Sequence, residues 1–257
     1  MMLCLDIGNS HIFGGVLEGQ DLQLTFRKAS KAGASSDELG LFFRSVLREN
    51  GIDPAGIKAI AMCSVVPEVV YAINASCRKY FDLAPFILQA GVKTGLKIGY
   101  QNPLEVGADR IANAVAGTQL YPDQDLLIID LGTATTLCAI GKGKNYKGGV
   151  IVPGLRMSME ALYSGTSKLG AVEIVRTERA LGRTTTSSIQ SGLFLGHLGA
   201  LNEIIRRVVD EEFAGERPTV VATGGFASLF EGTGLFDLAI PDLVLQGLRI
   251  AFELNSD

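Results

Sequence analysis

The sequence has few of the residues and patterns that build metal centres, disulfides or membrane spans. Its two histidines, His11 and His197, are too few for a histidine-rich metal centre, and a packed or solvated role is commoner for such residues than catalysis. Its four cysteines are far apart without CxxC spacing, which favours buried reduced thiols over disulfides or a zinc site. Because no apolar run reaches the roughly 18 residues of a membrane span, we expect a cytoplasmic protein that does not contact membranes.

Clustered positive charge and the common nucleotide-binding loops are missing as well. The 23 Lys and Arg residues are scattered and outnumbered by 27 Asp and Glu residues, giving a net charge of −4. No basic footprint for nucleic acid is present. Neither the GxxxxGK[ST] phosphate loop nor the GxGxxG fingerprint occurs. A small-molecule ligand is therefore the expected partner, bound by some other kind of loop.

The 257 residues contain enough apolar sequence, at 47%, for one large or two ordinary domains. Hydrophobic periodicity predicts strands at residues 2–7, 12–17 and 22–28, a helix at 36–50, a strand at 57–66, a helix at 67–81 and a strand at 85–89. Ser35 and Glu38 have the spacing of a capping box at the start of the first helix. After a helix at 108–120, the order recurs with strands at 126–131, 135–140 and 146–152, helical segments, a strand at 219–222 and a helix.

This recurrence predicts a duplicated α/β unit, with one lobe at residues 1–117 and the other at 118–257. The second half also holds a long amphipathic stretch at about 187–213. It is longer than one small lobe needs to cover its sheet, so we expect part of it to pack on another subunit.

Each half begins with an apolar run that ends in Asp, an apolar residue and Gly. The first is "DIGNS" at residues 6–10, and the second is "DLGTA", which begins 124 positions later. Gly8 and Gly132 allow a turn whose N–H groups can face phosphate oxygens. Asp6 and Asp130 are expected at matching ends of two sheets, facing one another across a cleft with Mg²⁺ from a nucleotide between them. A single Asp-x-Gly would more often be an ordinary turn, whereas two at equivalent places favour a ligand site.

A third acidic residue lies in "NPLEVGADRIAN", residues 102–113. Asp109 with Arg110 would place a proton acceptor beside a fixed cation at the start of a helix, as transfer of a phosphoryl group to an alcohol requires. Taken alone, the pair is at least as consistent with a charged helix terminus.

Several motifs in one order make the whole chain resemble the type III pantothenate kinases, of the acetate and sugar kinase/Hsc70/actin superfamily. Besides "DIGNS" and "NPLEVGADRIAN", they are "IDLGTATT" at 129–136, "GGVIVPGL" at 148–155, "LGRTTTSSIQSG" at 181–192, "ATGG" at 222–225 and "LVLQGL" at 243–248. The resemblance implies a duplicated ribonuclease H-like, actin-like ATPase fold with a mixed five-stranded sheet flanked by helices in each lobe. It also implies ATP-dependent phosphorylation of pantothenate to 4′-phosphopantothenate, the first step of coenzyme A biosynthesis.

The resemblance assigns roles to individual residues. Asp109 would accept the hydroxyl proton, Asp6 would lie near Mg²⁺, and Asp130 would bind a monovalent cation, K⁺ or NH₄⁺, which amends the symmetrical metal pair above. The ATP-binding residues would be Asp6, Ile7, Gly8, Asn9, Ser10, His11, Ile12, Phe13 and Thr133. The pantothenate-binding residues would be Tyr100, Gly107, Ala108, Asp109, Arg110 and Thr185, with Thr185 acting across a homodimer.

The sequence departs from the family pattern at two places, and two rival functions stay open. Ser10 and His11 stand where Thr and Asn are frequent, and Ile111 replaces a frequent aromatic residue. A kinase for another small molecule would keep both Asp-x-Gly corners but need a different acceptor motif. A non-catalytic nucleotide-binding regulator would have no need to keep all three aspartates.

Overall fold

The computed structural model describes residues 1–30 and 33–256. They divide into two compact units. The first contains Met1–Leu96, Gln101–Ala116 and the residues from Asp242 onward, and the second contains Lys97–Tyr100 and Gly117–Pro241.

The first unit is built on a five-stranded mixed sheet in the order β3-β2-β1-β4-β5. The strands are β1 Met2–Ile7, β2 His11–Glu18, β3 Asp21–Ala29, β4 Ala59–Ser64 and β5 Phe86–Ile87, and the helices along this part of the chain are α1 Ser36–Glu49 and α2 Pro67–Phe81. Strand β1 pairs antiparallel with β2 and parallel with β4. Its neighbours on both sides make β1 the centre of the sheet.

One face of this sheet is covered by α1 and α2. Leu3, Leu5 and Ile7 on alternate positions of β1 form a buried cluster with side chains of both helices, including Phe43 and Ile73. The predicted capping box at the start of α1 is confirmed, because Ser35 Oγ accepts from the Glu38 N–H while the Glu38 carboxylate accepts from the Ser35 N–H. The other face of β1 carries the side chains of Cys4 and Asp6.

The second unit contains a six-stranded sheet in the order β11-β10-β7-β8-β9-β6. Its strands are β6 Lys97–Ile98, β7 Leu126–Leu131, β8 Ala134–Gly141, β9 Asn145–Pro153, β10 Thr219–Thr223 and β11 Leu238–Ala239. The remaining α-helices of the described residues are α3 Ala108–Leu120, α4 Leu155–Gly165, α5 Thr185–Glu212 and α6 Leu243–Glu253. The sixth strand, one more than expected, is β6, because these two residues pair with the free edge of β9.

The two sheets repeat one plan. The first three strands have 6, 8 and 9 residues in the first unit, and β7, β8 and β9 have the same lengths. Both β1 and β7 pair antiparallel with the next strand and parallel with a later one, β4 or β10. The lengths and pairing of the strands in the two sheets therefore agree with the predicted duplication of an α/β unit.

The C-terminal helix α6 belongs to the first unit, whereas the sequence-based boundary assigned residues 118–257 to one lobe. The reason is packing. A Cβ on Gly15 of β2 would lie 2.6 Å from Leu245 Cδ1, and a Cβ on Gly247 would overlap the Ala112 carbonyl. Helix α6 thus covers the second face of the first sheet. The long amphipathic stretch predicted at 187–213 is one helix, α5, of 28 residues.

Candidate functional site

The first corner, at residues 8–11, is a closed loop between β1 and β2. The Gly8 N–H donates to the His11 carbonyl at 3.0 Å, and the last ladder pair before the loop is Ile7 with Ile12. Ser30, which follows β3, ties the loop down from outside: its Oγ donates to the Gly8 carbonyl at 2.6 Å and its N–H donates to the Ser10 carbonyl at 2.9 Å. Asn9 and His11 are exposed. The loop is therefore fixed while its tip is open to a ligand.

Three of the residues predicted to bind ATP have their side chains in the core. Ile7, Ile12 and Phe13 are at most 9% exposed, and the Arg27 guanidinium lies 4.3 Å from the centre of the Phe13 ring. Any contact of these residues with a nucleotide must therefore use the backbone. Their side chains anchor the corner to the sheet.

Asp6 is half-buried at the fifth position of β1. In the parallel ladder it stands opposite Cys63 of β4, whose Sγ lies 3.4 Å from Asp6 Oδ1 in a hydrogen bond that the thiol donates. Burial, and then the charges of Asp6 and Asp109, raise the pKa of the Cys63 thiol well above its usual value. The thiol therefore stays protonated. The two carboxylates whose charges raise its pKa belong to the first unit, as Cys63 does.

The segment at residues 107–110 folds back on itself at the start of α3. The Gly107 carbonyl accepts the first helical bond, from the Ile111 N–H, and the Asp109 carboxylate accepts from the Arg110 N–H at 2.8 Å. A Cβ on Gly107 would collide with Asp109 Oδ1. Ala108 and Asp109 are half-buried, whereas Arg110 is 8% exposed and its Nη2 donates to the Glu105 carbonyl at 3.4 Å. A carboxylate is thus held at a helix N-terminus, where the helix dipole favours negative charge.

The second corner, at residues 132–134, is shorter by one residue. The Gly132 N–H donates to the Ala134 carbonyl at 3.2 Å, and the flanking ladder pair is Leu131 with Thr135. Thr133 at the tip is exposed, as its predicted contact with ATP requires. Asp130 is half-buried at the fifth position of β7, and β1 and β7 have the same burial pattern along all six residues.

Two glycines that received no role from the sequence enclose this corner. A Cβ on Gly154 would collide with the Gly132 and Thr133 carbonyls, and a Cβ on Gly224 would lie 2.5 Å from Asp130 Oδ1. Gly224 also has φ of +91°, which favours glycine. Both lie in motifs quoted above, "GGVIVPGL" and "ATGG", but the close approach that requires them is between distant parts of the chain.

Beneath the second corner, Thr135 Oγ1 and His197 Nε2 of α5 share a hydrogen bond of 3.0 Å. Thr135 is 1% exposed, and the His197 ring packs against Phe230 with ring centres 5.8 Å apart. Burial lowers the pKa of His197. The histidine is a packed side chain that connects α5 to the corner.

The remaining predicted substrate residues, Tyr100 and Thr185, lie in the second unit. The Gly99 N–H donates to the Tyr146 carbonyl at 2.8 Å, and the Tyr100 and Tyr146 ring centres are 6.1 Å apart. Thr185 is the exposed first residue of α5 and lines a cavity of about 1340 Å³ between α4 and α5. Tyr100 therefore belongs to a different unit from Gly107, Ala108, Asp109 and Arg110.

The oxygen atoms at the two corners fit the expected cations. No cluster of three His, Cys, Asp or Glu side chains that could hold a metal occurs among residues 1–30 and 33–256. Asp6 fits Mg²⁺, which usually takes one or two carboxylates together with phosphate oxygens and waters. At the second corner, Asp130 Oδ1 and the Ala134 carbonyl oxygen both lie close to Gly132, at 3.3 and 3.5 Å from the position that a Cβ would take there. Carboxylate and backbone carbonyl oxygens are the kind of ligand that suits a monovalent cation.

Solved structures with low sequence identity share the fold. A protein from Campylobacter jejuni, provisionally assigned to the Baf family of transcriptional activators, aligns over 98% of both chains with a TM-score of 0.62 and 18% identity. The ROK hexokinase from Thermus thermophilus aligns over 100% of this chain and 99% of its own, with a TM-score of 0.54 and 13% identity. These similarities confirm the predicted duplicated ribonuclease H-like fold of actin-like ATPases.

The sequence itself is far closer to one family. The type III pantothenate kinase of Legionella pneumophila (strain Corby) is 56% identical over 256 residues, which covers 100% of both chains. The sequence model of the type III pantothenate kinases matches residues 2–207, which include both corners, the segment 107–110 and Thr185. The chain therefore belongs to the type III pantothenate kinase family.

Proposed function

We propose that the protein transfers the γ-phosphoryl group of ATP to the primary hydroxyl of pantothenate, giving ADP and 4′-phosphopantothenate in the cytoplasm. Family membership supports the substrates. The observation that carries the proposal is that β1 and β7, the strands that lead into the two corners, have equal length and burial and each carries a half-buried aspartate at its fifth position. An ordinary turn does not need an ionisable group at the same half-buried position of two sheets.

In the proposed reaction, the hydroxyl oxygen of pantothenate bonds to the γ-phosphorus while the bond from that phosphorus to the bridging oxygen of ADP breaks. The hydroxyl proton passes to the Asp109 carboxylate. A weak base in the right position suffices, because the alcohol becomes acidic mainly after bond formation begins. The position of Asp109 over Gly107 at the start of α3 supports this role.

The other proposed roles follow the family pattern. Residues Asp6 to Phe13 and Thr133 bind the ATP phosphates, with Asp6 near Mg²⁺, and bound Mg²⁺ neutralises the phosphate charge. Asp130 binds K⁺ or NH₄⁺. Tyr100, Gly107, Ala108, Arg110 and Thr185 bind pantothenate beside Asp109. The buried Arg110 is suited to an anionic ligand, because a guanidinium is always charged and is weakly hydrated.

A panel of acceptors tests the proposal. The purified protein is incubated with ATP, Mg²⁺ and K⁺ and with pantothenate, a hexose, acetate or no acceptor, and ADP and phosphorylated product are measured. Phosphate transfer to pantothenate alone supports the proposal. Transfer to the hexose or acetate would identify another small-molecule kinase, and nucleotide binding without turnover on any acceptor would identify a regulator.

We also propose that the protein is a homodimer through the surface around α4 and α5. Exposed apolar side chains concentrate there: Ile151, Met157, Leu162, Tyr163 and Leu181 are 38–82% exposed. Thr185 lines the cavity beside them. A second copy would cover this surface and bring its own Thr185 to the partner's substrate.

Size measurement and mixed variants test the dimer. Light scattering should give twice the monomer mass of 27.3 kDa. Asp109→Asn and Thr185→Val, each weak alone, should regain activity when mixed and refolded together, because one site of the heterodimer then has both native residues. A monomer, or a mixture no more active than its parts, would contradict a shared site.

A further inference from the structure

We infer that Cys63 is a positioning residue that holds the Asp6 carboxylate in the orientation that receives the metal of the nucleotide. This inference rests on the proposed role of Asp6 at Mg²⁺. The contact that supports it is the hydrogen bond from Cys63 Sγ to Asp6 Oδ1 at 3.4 Å. Cys63 has no solvent exposure, so water does not compete for the thiol.

The strand register brings the two side chains together. Asp6 and Cys63 are directly paired in the parallel ladder of β1 and β4, so they project from the same face of the sheet. Both strands lie inside the sheet, and Leu5, Ile7 and Met62 beside the pair are buried. The pair therefore cannot move apart without breaking the middle of the sheet.

The neighbouring hydroxyl has a different task. Ser64 Oγ accepts from the Val66 N–H at 3.0 Å and contacts the Val66 carbonyl at 3.1 Å, which shapes the turn into α2. Ser64 pairs with Ile7 rather than with Asp6, so its side chain projects from the opposite face. Of the two small polar residues that end β4, Cys63 is the one placed beside the carboxylate.

A thiol is chemically suited to hold a metal-binding carboxylate. A guanidinium or ammonium group would fix the carboxylate but would offset its negative charge. A thiol is a weak neutral donor, so it restrains the rotation of the carboxylate and leaves nearly all of its charge for a cation. The role requires a donor at this position, and a hydroxyl should substitute for it.

The experiment compares nucleotide binding with and without metal. Dissociation constants are measured by calorimetry for Mg²⁺–ATP and for ATP in EDTA, using wild type, Cys63→Ala, Cys63→Ser and Cys63→Val. Mn²⁺–ATP binding, followed by the paramagnetic resonance of Mn²⁺, gives a second readout at the metal. Cys4→Ala is the matched control, because Cys4 is equally buried on β1 and pairs with Ala61 two ladder steps away.

We expect Cys63→Ala to weaken binding of Mg²⁺–ATP about fivefold, in line with the loss of one weak hydrogen bond. ATP in EDTA should bind as it does to wild type, and Cys63→Ser should restore binding of the metal complex to within about twofold. Cys4→Ala should leave both constants unchanged. If Cys63→Ala does not fold, Cys63→Val removes the same donor while filling the space.

Equal weakening with and without metal would show a structural role only and would overturn the inference. So would wild-type constants for the folded Ala or Val variant. A wild type that binds Mg²⁺–ATP no better than ATP in EDTA would overturn both the inference and the role of Asp6. Tight metal-dependent binding without phosphorylation of pantothenate would overturn the proposed function alone and leave the inference in place.

Discussion

The two Asp-x-Gly corners share a framework but differ in their loops. Asp6 and Asp130 hold the same position of equally long, equally buried strands. The first loop is closed by a bond from Gly8 to His11 and tied down by Ser30, whereas the second is closed from Gly132 to Ala134. The second is also enclosed by Gly154 and Gly224. Duplication thus preserved the strands that position each carboxylate, while the surroundings of the two corners diverged.

The carboxylate outside both corners gives the largest expected effect. Asp109→Asn should lower kcat by about 10³-fold, within the usual contribution of a general base. The affinity for Mg²⁺–ATP, measured by calorimetry, should stay within about twofold, because the role proposed for this carboxylate is at the acceptor. Equal turnover of variant and wild type at saturating substrates would remove Asp109 from the role of base.

Replacing each corner carboxylate by an amide tests whether the two corners bind different cations. Asp6→Asn should lower kcat/KM for ATP about 10²-fold and raise the Mg²⁺ concentration needed for half-maximal activity, because a neutral amide is a poor ligand for a hard cation. Asp130→Asn should instead raise the K⁺ requirement. Initial rates over Mg²⁺ and K⁺ titrations measure both. The same shift in both variants would mean that the corners do not differ in their ligands.

Adding one methyl group at each corner compares how tightly the loops are enclosed. Gly224→Ala should lower the free energy of unfolding by about 2 kcal/mol, because its φ is +91° and the new Cβ meets Asp130 and the Leu131 backbone. Gly8→Ala should cost less, since its Cβ meets the His11 carbonyl at the milder distance of 3.2 Å. Urea denaturation measures both, and a larger loss for Gly8→Ala would contradict the comparison.

The smallest effect concerns the histidine below the second corner. Burial lowers the pKa of His197 below the usual 6.5, so the unfolded chain binds more protons than the folded one as acid is added. The folded state therefore has its full stability above about pH 6.5, where the histidine is neutral in both states. The free energy of unfolding then decreases as the pH falls through the folded pKa of His197. Urea midpoints at pH 7.5 and 5 should differ less for His197→Gln than for wild type. An equal difference would exclude His197 as a source of the acid sensitivity.

Local patterns predicted much of the fold. The start of α1 at Ser36 follows from the capping box, and the start of α2 follows from Pro67 at its first position. Strand β6, by contrast, has two residues and no pattern of its own, since it exists only through pairing with β9. Similarly, the sequence of α6 predicts an apolar helix that either unit could bury. Its packing against Gly15 and Ala112 shows that it belongs to the first unit.

The same distinction holds for the site. The local positions of the carboxylates Asp6, Asp109 and Asp130, near a strand end or at a helix start, were predictable because each lies in a local sequence motif. The hydrogen bond of Cys63 to Asp6 depends on the register of two strands 57 residues apart, and the close approach of Gly224 to Asp130 depends on the pairing of β10 with β7. One sequence does not encode such distant pairings in any local pattern.

The placement of α6 determines which of the two units is completed last during synthesis. Because α6 follows the second unit in the chain but covers a face of the first sheet, that face stays bare on the ribosome while the residues between are synthesised. The second unit has all its strands before α6 emerges. The lobe that is translated first is therefore the lobe that is completed last.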